Sequence, residues 1–178
     1  MKELLEAINN YILDNNLITV QRETINDYQL YGFPLFVTEN ILIMTQISDF
    51  HDDGVIVLNT DDISDVYADG SESLREQICK KECLDNKSNP FPNCNCMYDI
   101  LSMIGASKKF VIIECENNDD LSFSIGRIID VSSEEVKMEI FDADGIWEED
   151  AVNIPIKEIT SIQIDDNYSK TYYKYMNK

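Results

Sequence analysis

Four of the five cysteines fall in two close pairs, Cys79-x3-Cys83 and Cys94-x-Cys96, on either side of a proline-rich stretch. Four thiolates are a donor set for a tetrahedral structural zinc. The usual signature is two Cys-x2-Cys pairs, and neither pair here has that spacing. Cys79, Cys83, Cys94 and Cys96 are therefore the metal candidates, with four unconnected reduced thiols as the expected state. Cys115 lies in an apolar stretch and reads as a small core residue. His51 is the single histidine and sits beside Asp52 and Asp53. It has the chemistry of a general base, but no nucleophile elbow and no glycine-rich anion loop accompanies it. It reads as a solvated loop side chain. Neither an enzyme nor a cofactor is expected.

Asp142-x-Asp144-Gly145, followed by Glu148, Glu149 and Asp150, resembles a fragment of a calcium loop. A calcium loop places its glycine at the sixth position, and here it comes two residues early. A wide acidic hairpin loop is the expectation. Trp147, the only tryptophan, lies inside it. If exposed, Trp147 is an interface anchor; it can equally fold back on its own unit. Phe50, Ile146 and Trp147 each sit among acids. With Asp52, Asp53, Asp142, Asp144, Glu148 and Glu149 they form the candidate partner-binding set.

Charge narrows the partners. Fourteen basic residues stand against thirty-four acidic ones, a net charge of −20. Residues 1–88 carry 6 basic and 17 acidic residues; residues 89–178 carry 8 and 17. Phosphate backbones are bound chiefly through Lys and Arg, so nucleic acid is not expected as a partner. Anionic membrane surfaces are disfavoured for the same reason. A basic protein fits, because a single-sign field speeds encounter with the opposite sign. The chain opens on a charged amphipathic stretch rather than a secretory signal, and its cysteine count is odd. Both features predict a cytoplasmic protein with free thiols. Oligomeric state is not legible.

The elements that must carry these residues are small and β-rich. Residues 54–69, GVIVLNTDDISDVYAD, return 96 positions later as residues 150–165, DAVNIPIKEITSIQID. Ile56, Leu58, Ile63 and Val66 fall on Val152, Ile154, Ile159 and Ile162. Each copy reads as a strand, a short polar step and a second strand. Two units are predicted, residues 1–88 and 94–178, around a linker at 85–93 that holds two prolines.

In the first unit, Leu4, Leu5, Ile8 and Ile12 predict a helix over 2–14, ended by Asn15 or Asn16. Strands follow at 17–23, 31–37, 41–47, 55–59 and 63–67. Pro34 places the second of these at an edge or bend. Gly32 implies close backbone approach. Residues 48–54 read as a loop, with Asp53-Gly54 as its hairpin signal. A helix over 71–84 is predicted, capped by Ser71 or Ser73, with Leu74, Ile78 and Leu84 as its apolar stripe. In the second unit a helix over 98–104 closes at Gly105. Strands are predicted at 109–116, 123–131, 135–141, 151–156 and 159–164, with a turn at 117–120 and a final helix. Gly126 takes the place of Gly32. Val136, Met138 and Ile140 alternate with charges, the mark of a sheet wet on one face.

A helix followed by five short bent strands, with a tiny step before the last, resembles the Sm-like and SH3-like small barrels. That likeness implies mainly β architecture with flanking helices (α+β), as tandem five-stranded Sm/SH3-like barrels. Residues 30–67 and 123–175 also resemble the two halves of an uncharacterised bacterial family. Asp49, Phe50, Asp53 and Gly54, and the stretch FDADGIWEE at 141–149, carry this likeness, which implies architecture and no chemistry. An Sm-type RNA pocket would need an Asp-x-apolar-Asn element and an Arg-Gly. The matching turns here read Thr38-Glu39-Asn40 and Ser132-Ser133-Glu134, and no Arg-Gly is present. The expected function is protein binding. The alternatives are an acidic immunity or anti-nuclease protein that binds a basic toxin and, further off, an Sm-like RNA binder.

Overall fold

A computed structural model describes residues 1–68, 70, 73–119 and 122–176. It is mainly β with flanking helices. The chain divides into two compact units, Met1–Pro92 and Asn93–Lys178. The proposed cap Ser71 and the end of the predicted turn at 117–120 lie outside the described residues.

The first unit opens with helix α1 (Lys2–Leu13). Its apolar spacing sets Ile8 fully into the core, with Leu4, Tyr11 and Ile12 packed beside it. Asn15 then takes the left-handed conformation, φ 51°, which asparagine adopts more readily than most residues. Five strand segments come next in a tight sequence: β1 (Ile18–Gln21), β2 (Gln29–Gly32), β3 (Pro34–Val37), β4 (Ile41–Ser48) and β5 (His51–Asn59). A 3₁₀ turn, Thr60–Asp62, leads to β6 (Asp65–Ala68), and α2 (Leu74–Lys81) follows. β1 lies between β2 and β6, while β4 lies between β3 and β5.

β2 and β3 are one predicted strand broken at Phe33. Pro34, which has no N–H to give to a ladder, starts the second half. At the break the chain leaves one ladder for the other. The core between them holds Ile18, Val20, Leu42, Met44, Ile56, Leu58, Ile63 and Val66.

The second unit holds α3 (Met97–Ser107), β7 (Val111–Glu114), β8 (Phe123–Val131), β9 (Glu135–Ile140), β10 (Val152–Pro155), a 3₁₀ turn at Ile156–Glu158, β11 (Ser161–Ile164) and α4 (Asn167–Met176). Its strands run in the order β10-β9-β8-β7-β11. The pairing parallels that of the first unit residue by residue. Ile18 faces Gly32 and Ala68, and Val111 faces Gly126 and Ile164. Ile154, Ile159 and Ile162 are buried, as are Ile56, Leu58, Ile63 and Val66, and Val152 is half-buried. Among the described residues no closed barrel is formed.

Three local expectations are corrected. Residues 48–54 are not a loop: Ser48 pairs with His51, so the turn is Asp49-Phe50 alone. Gly54 sits inside β5 at φ 85°, where the register shifts between Thr45 and Ile47. Its positive φ therefore serves a bulge rather than a turn. The α3 helix runs through Gly105 and ends at Lys108, which is left-handed at φ 57°. Helix α2 starts at Leu74, with Ser73 as its N-cap residue but without a side-chain cap bond. Leu74 is 71% exposed, and the buried side of α2 carries Cys79 and Glu76 instead. Glu76 tolerates burial because its carboxylate accepts the Leu17 N–H at 3.1 Å and the Lys80 ammonium at 2.8 Å.

Candidate interaction surface

The two central hairpins carry the candidate residues, and the units build them differently. In the first unit, Asp49 and Phe50 both have positive φ, 47° and 62°. That is the backbone of a tight two-residue hairpin turn, usually given to Asn and Gly. An aromatic residue there is strained. One His51 ring nitrogen, Nδ1, lies 2.7 Å from the Asp49 carbonyl and closes the turn. Phe50 is 46% exposed and, with Tyr31, Arg75 and Cys79, lines a cleft of about 210 Å³. Asp52 is already engaged: one carboxylate oxygen accepts the Gly54 N–H at 2.9 Å and the Lys87 ammonium at 2.5 Å. Asp53 stands half-buried on β5.

In the second unit the hairpin loop is longer and is tied to its own scaffold. The Asp142 carboxylate accepts the N–H groups of Asp144 and Ile146, both at 2.9 Å. Gly145 supplies the positive φ of 76° that this turn requires. The Tyr172 hydroxyl of α4 donates to the Ala143 carbonyl at 2.6 Å. The hydrogen bond with Tyr168 is the main cause that raises the Tyr172 pKa above that of an ordinary tyrosine. Phe141 bridges to Trp147 across the hairpin.

Trp147 folds back on this scaffold. Its indole meets Phe141 at 5.2 Å and Phe110 at 5.6 Å, both nearly edge-on. The Arg127 guanidinium lies 5.0 Å from the indole centre, and its Nε bonds the Glu139 carboxylate at 2.5 Å. Trp147 still keeps 36% of its surface exposed. Ile146, beside it, is 64% exposed. Asp142, Asp144, Glu148 and Glu149 are exposed around them. Arg127, Glu139, Trp147, Glu148, Glu149 and Ala151 line a cleft of about 370 Å³. The arrangement is an apolar spot set in carboxylates and held by a hydrogen-bonded, aromatic base.

Each cysteine has its own local setting. Cys79 is buried against Leu17, Phe33 and Ile47. Cys83 is exposed. Cys94 is buried, with its sulfur 3.9 Å from the Met103 sulfur, and Cys96 stands at the N-cap position of α3 without a side-chain cap bond. Burial raises the thiol pKa of Cys79 and Cys94, which works against the thiolate that a metal needs. Among the described residues no three His, Cys, Asp or Glu side chains are placed to hold a metal ion.

The two Sm-pocket positions are used locally. Thr38 Oγ1 accepts the N–H of Asn40 and of Ile41, and Ser132 Oγ accepts those of Glu134 and Glu135. Each hydroxyl closes the turn between two strands.

Sequence reasoning missed Arg127, Glu139, Phe110 and Tyr172, the residues that hold Trp147 and its loop. Arg127 and Glu139 face each other across β8 and β9. Opposite charges at facing positions are a readable signal, but only once the register is known. The spacing of Tyr168 and Tyr172 on α4 was readable from the outset.

No protein-family model, no curated protein and no solved structure matches this chain.

Proposed function

We propose that this chain is a non-enzymatic, cytoplasmic protein-binding module. In this reading its units are open variants of the Sm/SH3-like small barrel, and it docks a basic partner protein on the acidic hairpin of its second unit. The observation that carries the reading is Ile146, a large aliphatic side chain left 64% exposed inside a ring of carboxylates on a braced loop. A loop fixed beforehand by Asp142 and Tyr172 loses little conformational freedom on binding. Ile146 and the exposed part of Trp147 would supply the desolvated centre of the contact. Asp142, Asp144, Glu148 and Glu149 would supply a rim that steers a cationic surface. The first unit's hairpin fits less well, because Asp52 already holds Lys87. The shared strand registers support the small-barrel reading.

The test starts from basic proteins cross-linked to the chain in its native cell. Each is then purified and measured by surface plasmon resonance against wild type and Ile146→Asp. The Debye length falls from about 30 Å at 0.01 M salt to about 8 Å at 0.15 M, so association should slow over that range. Ile146→Asp should weaken binding at least tenfold, and it leaves the fold intact because the side chain is exposed. A salt-independent association rate together with unchanged affinity in the variant would sink the proposal.

A further inference from the structure

The second unit contains a place where the charge of the chain is reversed. Lys108, Phe110, Arg127, Ile128, Ile129 and Tyr173 line a cleft of about 470 Å³ together with Gly105 and with Glu139, the carboxylate that pairs with Arg127. A neighbouring cleft shares Phe110 and Tyr173 and adds Lys109, Lys170 and Asp165. Four of the fourteen basic residues of a −20 chain thus surround one aromatic wall. Two of them are neutralised in place: Arg127 by Glu139 at 2.5 Å, and Lys109 by Asp165 at 2.7 Å. The ammonium groups of Lys108 and Lys170 have no ion-pair partner among the described residues, and of the two only Lys108 lines the larger cleft.

We propose that the Lys108 cleft binds a small organic monoanion, a carboxylate carried on an apolar ring or short apolar chain.

The floor of the cleft is built for an apolar body. Consecutive strand residues ordinarily point to opposite faces. Here the register of β8 against β9 shifts between Ile128 and Asp130, so Ile129 is the extra residue of a bulge. The result is that Ile128 and Ile129 both line the cleft. Bulges recur next to binding sites because they re-aim a side chain in this way. Gly105 lies against Ile128, where a Cβ would come within 3.1 Å of the Ile128 methyl. A side chain at 105 would crowd that floor. Ile129 is left 46% exposed, an apolar surface with nothing described over it.

The cation is placed with equal care. Lys108 ends α3 in the left-handed conformation that glycine usually supplies. A helix C-terminus favours a nearby cation. It does not explain why that cation borders a bulged apolar floor and an aromatic wall. The volume lies in the range of small-molecule sites. Within this cleft Lys108 is the one ammonium without an ion pair, which suits one negative charge, and the field of a −20 chain opposes polyanions.

The test is a titration of isotopically labelled full chain, followed by amide NMR, with three carboxylates: 3-phenylpropanoate, cyclohexanecarboxylate and indole-3-acetate. The indole N–H of Trp147 is a single built-in reporter, since Trp147 stacks with Arg127, which lines the cleft. At least one carboxylate should give saturable shifts at Trp147 and at residues 105–110. The neutral analogue 3-phenylpropan-1-ol should bind at least tenfold more weakly than 3-phenylpropanoate, or cyclohexylmethanol than its acid. Lys108→Met should remove that preference, and Lys157→Met, on the 3₁₀ turn, should leave it unchanged. Ile129→Asp should abolish saturation while the rest of the spectrum stays folded. Absence of saturable shifts with all three acids overturns the proposal. So does equal binding of acid and alcohol, or a Lys108→Met variant that behaves as wild type.

Discussion

Gly126→Ala tests the architecture at its narrowest point. Gly126 lies at the centre of the second unit, paired with Val111 on β7 and with Ile140 on β9. A Cβ added there falls 2.9 Å from the Glu139 carbonyl carbon and 2.9 Å from the Ile140 Cα, with the carbonyl oxygen closer still. All three obstacles are backbone atoms, so no side chain can swing aside. β8 and β9 would have to part locally by more than an ångström. That movement loses about two ladder hydrogen bonds at about 1 kcal/mol each. The strain of overpacking adds about 1–3 kcal/mol. The expected destabilisation is about 3–5 kcal/mol, a large share of a typical domain's stability.

Gly145→Ala is the matched control. Its added Cβ meets nothing closer than 3.7 Å, so it bears only the strain of a positive φ, about 1 kcal/mol. Urea unfolding followed by Trp147 fluorescence reads both variants in the same unit. With a slope of about 2 kcal/mol/M, the midpoint of Gly126→Ala should fall by roughly 2 M. A Gly126→Ala variant within 1 kcal/mol of wild type at unchanged slope would refute the reasoning, because the strands would then have room that the structure denies.

Four further outcomes are expected. Ile159→Ala, at a fully buried position after the 3₁₀ turn, should cost about 2–5 kcal/mol in the same urea assay. Tyr172→Phe removes the hydroxyl that holds Ala143; it should cost about 1 kcal/mol and speed amide hydrogen exchange in residues 142–146 relative to wild type. The Cys115 thiol is pushed up to about 11, first by burial and then by Glu158 and Glu114. Its proton is therefore held more tightly in the folded chain than in the unfolded one. The stability linked to it is complete below pH of about 9 and is lost as pH rises towards 11. In Cys115→Ala the fall in thermal midpoint between pH 9 and 11 should be shallower than in wild type, and an unchanged slope would count against the assignment. In the same samples at pH 8, the exposed Cys83 should react with a thiol reagent well before Cys79 or Cys115.

Much of the local order followed from spacing alone. The α1 helix, the break at Pro34 and the short turns at Thr60–Asp62 and Ile156–Glu158 stand where periodicity and proline placed them. Gly32 and Gly126 were readable as points of close approach, since each lacks the one atom that would strike the neighbouring strand. The alternation of Val136 and Met138 with charges matched one buried and one wet face. These features depend on residues a few positions apart, or on what a single residue type forbids. Other features depended on who faces whom. Gly54 looked like a hairpin turn and is a bulge, because the pairing of Ser48 with His51 puts the turn at Asp49 and Phe50. Leu74 was expected in the apolar stripe of α2 and is exposed, while the buried position falls to Glu76. Glu76 can be buried because a backbone N–H from Leu17 and the Lys80 ammonium donate to its carboxylate. Whether Trp147 pointed out or back was decided by Phe110, Phe141 and Arg127, which come from three separate segments. The Lys108 cleft has the same origin. A bulge is a mismatch between two strands, and neither strand alone records it, so only the folded chain could bring Ile128 and Ile129 to one wall beside the Lys108 ammonium.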